Sequence, residues 1–214
     1  MASVIERLIS QGVLGIIRIH TPEDLVAIAK ALYAGGLSCL EITLNTPGAL
    51  RAIEAAQQEF PEAIIGAGTV LDAASAYQAI LVGAKFLVTP VVRLDVLEVA
   101  HRYGVPAIIG AMTPSEILAA WEAGAAMVKV FPANVLGPKY IQEVRGPFPQ
   151  ILLVPTGGIT AENAPDFIKA GAALVCAGSW LVDKKAIVEG RYEVLTERAR
   201  ALVEAVKRAR ESLK

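Results

Sequence analysis

Two cysteines and two histidines in 214 residues leave little material for metal or disulfide chemistry. Cys39 and Cys176 each lie inside an apolar segment, so neither a disulfide framework nor a cysteine metal cluster is expected. His20 and His101 have no companion at metal-ligand spacing. His101, followed by Arg102 and Tyr103, reads as a solvated or helix-capping residue. No zinc mechanism, bound metal or cofactor is expected. An excess of one charge is also missing. Twenty basic residues against 21 acidic ones give a net charge of −1, and the basic residues are scattered, which argues against a nucleic-acid partner. No apolar run approaches the roughly 18 residues that a membrane span needs. The longest candidate, 170–182, is broken by Gly171, Gly178 and Ser179. The opening MASVIERLIS carries charge early and has no signal-peptide core. The expectation is a cytoplasmic protein with no membrane partner.

What the chain has in abundance is aliphatic sequence. It is 54% hydrophobic and only 19% charged, with a mean hydropathy of +0.51, as expected of strands covered on both faces. One pattern repeats from end to end: an apolar strand, a capped helix, then a glycine. Gly35, Gly83, Gly104, Gly124 and Gly171 read as helix stops, with Phe60-Pro61 and Gly146-Pro147 punctuating the gaps. The spacing of about 20 to 25 residues is one βα unit. Eight strands are predicted, at 13–18, 37–44, 63–68, 85–89, 106–111, 126–131, 151–156 and 173–178. Thr21-Pro22-Glu23-Asp24 and Thr113-Pro114-Ser115-Glu116 read as capped helix starts, and Asp72 and Thr160 as two further caps. Helix 22–34 carries Leu25, Ile28, Ala29 and Leu32 on one face, and helix 191–210 carries Leu195, Ala199, Leu202 and Val206. Eight units in a chain of this size, with no G-x-G-x-x-G after the first strand, predict one TIM-type (β/α)8-barrel domain over 1–214. A short extra helix at 2–10 closes its bottom.

In such a barrel the chemistry sits at the C-terminal ends of the strands. Lys129, in AMVKVF, stands in a strand with both faces covered. Burial works against the charged form of an amine, and a neutral amine is a nucleophile toward carbonyls. The competing reading is a lysine that snorkels out of the barrel mouth or pairs with a structural carboxylate. Glu41, in LSCLEITL, alternates with apolar Leu40 and Ile42 and so should point inward. There it either shuttles protons or merely neutralises Lys129 or Arg18. Arg18 ends the first strand, where a guanidinium suits a carboxylate or phosphate. Thr69 and Thr89 end two more strands and can orient a substrate or serve as turn residues. Gly157-Gly158 and Gly178-Ser179 follow the last two strands, the usual phosphate site of this fold. Trp180 reads as packing at the rim or as lining an inter-subunit surface.

GGLSCLEITLNTP, IIGAGTVL, KFLVTP, MVKVFPA, GPFPQILLVPTGGI and AGSWLV occur in an order that resembles the 2-keto-3-deoxy-6-phosphogluconate (KDPG) and 4-hydroxy-2-oxoglutarate aldolase family over nearly the whole chain. The resemblance implies a class I aldolase that cleaves KDPG to pyruvate and glyceraldehyde 3-phosphate, and also 4-hydroxy-2-oxoglutarate to pyruvate and glyoxylate. It implies that Lys129 is the Schiff-base lysine and Glu41 the acid–base carboxylate. It further implies that Arg18 and Thr69 hold the pyruvate-like end and that Pro90 and Thr156 line the pocket. Gly157, Gly158, Gly178 and Ser179 would then hold the phosphate, and the chain would form a homotrimer. Some family members carry an arginine four residues after the glutamate, where this chain has Asn45; others place one at the end of the first strand, as Arg18 does. Val91-Val92 follows Pro90, where a glycine or histidine is frequent. Two rival functions remain open at this point. One is a phosphosugar isomerase or synthase using Lys129 and Glu41 without a covalent step. The other is a non-catalytic phosphometabolite-binding barrel.

Overall fold

The computed structural model describes residues 2–19 and 25–213. Its strands are β1 (Val13–Ile17), β2 (Cys39–Thr43), β3 (Ile64–Gly68), β4 (Leu87–Val88), β5 (Ala107–Ala111), β6 (Met127–Val130), β7 (Leu153–Pro155) and β8 (Val175–Ala177). Each falls inside its predicted segment and is shorter than it, because the ends of those apolar runs turn into loops. All pair in parallel, in the order β7-β6-β5-β4-β3-β2-β1-β8. A bridge between Thr156 and Cys176 joins the two ends, so the sheet curls into a nearly closed TIM-type barrel.

The helices are α1 (Val4–Gln11), α2 (Leu25–Ala34), α3 (Ala49–Glu59), α4 (Ala73–Leu81), α5 (Leu94–Arg102), α6 (Pro114–Glu122), α7 (Ala133–Arg145), α8 (Ala164–Lys169), α9 (Lys184–Val188) and α10 (Glu193–Glu211). Leu25, Ile28, Ala29 and Leu32 of α2 are buried, as are Leu195, Ala199, Leu202 and Val206 of α10. Thr113 and Glu116 form a reciprocal capping box on α6, and Asp72 accepts from the Ser75 N–H at the start of α4. The cap expected at Thr21-Pro22-Glu23-Asp24 lies outside the described residues, as does His20. His101 hydrogen-bonds through Nε2 to the Gly124 carbonyl oxygen, at 3.0 Å, just past the end of α6.

Two expectations need correction. Gly36, not Gly35, takes the left-handed backbone after α2, with φ +88°. Gly35 is there for space, since a Cβ on it would lie 2.5 Å from the Thr196 carbonyl oxygen. Thr160 does not cap α8, whose N-cap position is Asn163. The two residues instead exchange hydrogen bonds across the preceding turn. Helix α7 is two helical pieces, because Gly137 at φ 72°, ψ 173° and then Pro138 break the helical path.

Two apolar clusters divide the molecule. The outward faces of the strands meet the helices in the larger one. The smaller fills the barrel itself with Leu14, Ile16, Cys39, Ile64, Phe86, Val88, Ile108, Met127, Val154, Leu174 and Cys176. Leu8 of α1 plugs this interior from the N-terminal end, and a Ser3–Glu6 capping box starts that helix. Strand alternation then leaves the next inward positions, toward the C-terminal end, for the polar residues.

Candidate active site

Glu41 and Lys129 occupy those inward positions. Glu41 is 0% exposed and Lys129 3%. In register, Glu41 stands between Ile16 of β1 and Gly66 of β3. Lys129 stands between Gly110 of β5 and Val154 of β7. Neither residue, nor Arg18, takes part in an ion pair among the described residues, so the reading of Glu41 as a simple salt-bridge partner fails. Both Glu41 carboxylate oxygens are buried without any hydrogen-bond partner. Burial pushes the Glu41 carboxyl above its ordinary range, and the positive charges of Lys129 and Arg18 offset this only in part. Beneath them lies Cys176, whose thiol burial and the Glu41 charge push up to about 12, an inert floor for the site.

A cavity of about 540 Å³ opens at the C-terminal ends of the strands, a size suited to a small metabolite. It brings together Lys129, Arg18, Thr156, Gly157, Gly158, Gly178 and Ser179. Glu41, Thr69 and Pro90 are not on its wall. Thr69 accepts a hydrogen bond from the Arg18 guanidinium, at 3.5 Å. It is also the one non-glycine residue with positive φ among those described, at +54°, a costly conformation for a β-branched side chain. The Pro90-Val91 backbone lies over Gly110, where a Cβ would collide with it, which sets Pro90 beside the strand position next to Lys129. Gly157 and Gly158 adopt φ of +102° and +66°, and a Cβ on Gly158 would sit 2.6 Å from the Asn134 Cβ. Their backbone thus makes a turn open only to glycine.

Thr89 spends its hydroxyl proton within its own loop. It donates to the Val91 carbonyl at 2.7 Å and accepts from the Gly110 N–H at 2.9 Å, pinning the loop after β4. Trp180 is half-buried against the helix layer, with the Arg198 guanidinium 5.5 Å from its ring centroid.

Sequence reasoning passed over several lining residues. Phe131 is 38% exposed, and its ring centroid is 5.3 Å from the Lys129 Nζ. Its place two residues along the same strand direction was the available signal. Lys184 and Lys185 also face the cavity, beside Val182 and Asp183, and the basic pair directly after AGSWLVD was legible. Asp183 caps α9 and pairs with Arg198 at 2.8 Å, so the cavity presents Arg18, Lys129 and Lys185 against one committed carboxylate. Such a wall favours an anionic ligand. Among the described residues no group of three or more His, Cys, Asp or Glu is placed to hold a metal ion. No helix among the described residues is long and apolar enough to cross a membrane.

A parallel eight-stranded barrel with a buried lysine under a cationic cavity at the strand C-termini is the arrangement of (β/α)8 proteins that handle small anionic metabolites. Comparison with known proteins narrows this. The family model for KDPG and KHG aldolase matches residues 4–197. The KHG/KDPG aldolase of Escherichia coli (strain K12) is 39% identical over 204 residues, covering 94% of this chain and 96% of that one. The solved structure of native KDPGal superposes with a TM-score of 0.87 at 32% identity, covering 93% of this chain and 96% of the other. A KDPG aldolase from Legionella pneumophila, solved with pyruvate captured as a covalent carbinolamine intermediate, gives 0.83 at 34% identity, over 89% and 93%. The chain belongs to the KDPG/KHG aldolase family of class I aldolases.

Proposed function

We propose that this protein cleaves 2-keto-3-deoxy-6-phosphogluconate to pyruvate and glyceraldehyde 3-phosphate through an imine on Lys129, and that it also accepts 4-hydroxy-2-oxoglutarate. The observation that carries the reading is a buried interior lysine on the wall of a cationic cavity, within the same barrel interior as a buried carboxyl whose oxygens have no hydrogen-bond partner. The Lys129 amine adds to the keto carbon, and loss of water gives an iminium. Glu41, directly or through a water, takes the proton of the hydroxyl on carbon 4. The bond between carbons 3 and 4 then breaks, its electron pair passing into the iminium to leave an enamine, and the aldehyde departs. Protonation of the enamine and hydrolysis release pyruvate and restore the lysine. Burial of Glu41 suits it to this proton transfer, since it raises the carboxyl above the ordinary glutamate range and makes the anion a stronger base.

Arg18, oriented on Thr69, serves the carboxylate end of the substrate, with Thr156 and Pro90 shaping the pocket. Gly157, Gly158, Gly178 and Ser179 receive the phosphate on backbone N–H groups. The protein is proposed to work in the cytoplasm as a homotrimer. Leu71, Val91, Leu94 and Met112, exposed after the C-terminal ends of β3, β4 and β5, offer the apolar surface that trimer formation would cover. Light scattering at micromolar concentration tests that point, and a monomer removes the trimer.

The decisive test is intact-mass spectrometry after borohydride reduction with pyruvate. One pyruvyl adduct, mapped to Lys129 and absent from folded Lys129→Ala, is expected, together with loss of turnover in that variant. A folded wild-type protein that traps nothing would turn the reading to an isomerase or binding barrel.

A further inference from the structure

We propose that Gly68, the last residue of β3, is a positioning residue for the reaction: its missing side chain is the space in which the Glu41 carboxyl rests. The inference deepens the reading of Glu41 as the proton-transfer group and rests on it. A Cβ built on Gly68 would collide with Oε1, Cδ and Cγ of Glu41, and even Cγ, the farthest of the three, would lie 2.5 Å away. A carboxylate in a protein is ordinarily aimed by the hydrogen bonds it accepts. Glu41 accepts none. Shape is therefore what holds it, and Gly68 leaves open the space the carboxyl fills.

The neighbouring inward position on β3 repeats the arrangement. Gly66 makes room for the Phe86 ring, whose atoms would lie 2.5 Å from a Cβ there. Two side chains thus fold over one bare strand from its two flanks, Phe86 for packing and Glu41 for chemistry. Glu41 is in register with Gly66, and Gly68 pairs with Thr43. The Glu41 side chain accordingly leans one inward step toward the barrel mouth, where Lys129 and Arg18 act on its charge.

β3 cannot step aside for a larger residue. The Gly68 carbonyl accepts from the Leu44 N–H at 2.8 Å on one flank, and the Ala67 and Val70 N–H groups donate to the Phe86 and Val88 carbonyls on the other. With the backbone held by both ladders, the movable group is the carboxyl. An alanine at 68 displaces it by an amount on the order of 1 Å or more, and misplacement of that size costs about 100-fold in rate.

Gly68→Ala is therefore expected to lower kcat about 100-fold with little change in KM, and to shift the acidic limb of the pH–rate profile as the carboxyl leaves its pocket. End-point borohydride trapping of pyruvate should stay complete, because the change leaves the Lys129 amine and its strand neighbours on β5 and β7 in place. The same change placed in Glu41→Ala should cost almost nothing further in rate or Tm, since the collision partner is gone. A kcat within threefold of wild type overturns the proposal, as do losses that simply add between positions 41 and 68. If Gly68→Ala alone fails to fold, Gly68→Ala/Glu41→Ala should fold with the Tm of Glu41→Ala, and a double variant that also fails ends the idea. Absence of trapping in folded wild-type protein would sink the imine reading instead, while the coupling in Tm between positions 41 and 68 would still report on Gly68.

Discussion

Glu41→Gln should make this protein more stable at alkaline pH while disabling it. In the folded state both carboxylate oxygens are buried without partners, and burial holds the carboxyl above its ordinary range despite Lys129 and Arg18. In the unfolded chain the group titrates near the ordinary glutamate value of about 4.3. Between those two values the folded state binds more protons than the unfolded one, so raising the pH favours unfolding. The cost is absent below about pH 4, grows as pH rises through the window, and is constant above the folded-state pKa. Glutamine has nearly the same shape and stays neutral, so it escapes the growing part of this cost. An unpartnered buried polar group costs about 1–3 kcal/mol, and a charged one more. A gain on the order of 2 kcal/mol at pH 8 is therefore expected. A chain of this size gains about 2–4 °C in Tm per kcal/mol, so the variant should melt about 4–8 °C above wild type at pH 8 and close to it at pH 4. Turnover should fall by about 100-fold to 10,000-fold, the usual loss of a proton-transfer group. Paired melting curves from pH 4 to 9, with aldol cleavage assayed on the same samples, measure both. A variant that melts at or below wild type at pH 8 refutes the reasoning, because Glu41 would then be held by a compensating partner.

Two smaller predictions follow from local geometry. The half-buried Arg210 guanidinium donates to the carbonyls of Ile9, Ser10 and Ala173, tying α10 to the N-terminal end of the barrel. Arg210→Ala should cost about 3 kcal/mol, visible as a Tm drop of roughly 6–12 °C, with kcat at 25 °C unchanged; a drop under 2 °C would mean the clamp is ornamental to stability. Thr69→Gly should relieve the positive φ and raise stability by about 1 kcal/mol, once the extra freedom of glycine in the unfolded chain is deducted from the strain. The same variant should raise KM for pyruvate-bearing substrates by freeing Arg18, and equal KM values would separate Thr69 from substrate binding.

The parts of the fold that were legible are those set by neighbours in sequence. Parallel strands covered on both faces have to be continuous aliphatic runs, so all eight were readable, and the caps at Asp72 and Thr113 follow from hydroxyl or carboxyl groups three residues from an N–H. Inward placement of Glu41 follows from strand alternation alone, and burial of Lys129 from a strand covered on both faces. The choice of Gly36 over Gly35 at the end of α2 was not readable, because Gly35 is fixed by Thr196 and Ala199 of α10, more than 150 residues away. For the same reason Thr89 stayed open between a substrate-orienting and a turn residue, and its bonds to the Gly110 N–H and the Val91 carbonyl make it the latter.

The sequence by itself therefore determined the barrel, the inward glutamate, the lysine in a covered strand, and the glycine-bearing turns after β7 and β8. Those are consequences of period, chain direction and residue chemistry, all local. Tertiary structure alone decided that the lysine and glutamate form no ion pair and that Thr69 is held in a left-handed conformation beside Arg18. It also decided that Phe131, Lys184 and Lys185 complete the cavity wall, and that the carboxyl of Glu41 occupies room left by Gly68. Each of these depends on distances between strands or loops remote in the chain, and a residue that acts by being absent leaves no chemical signal of its own.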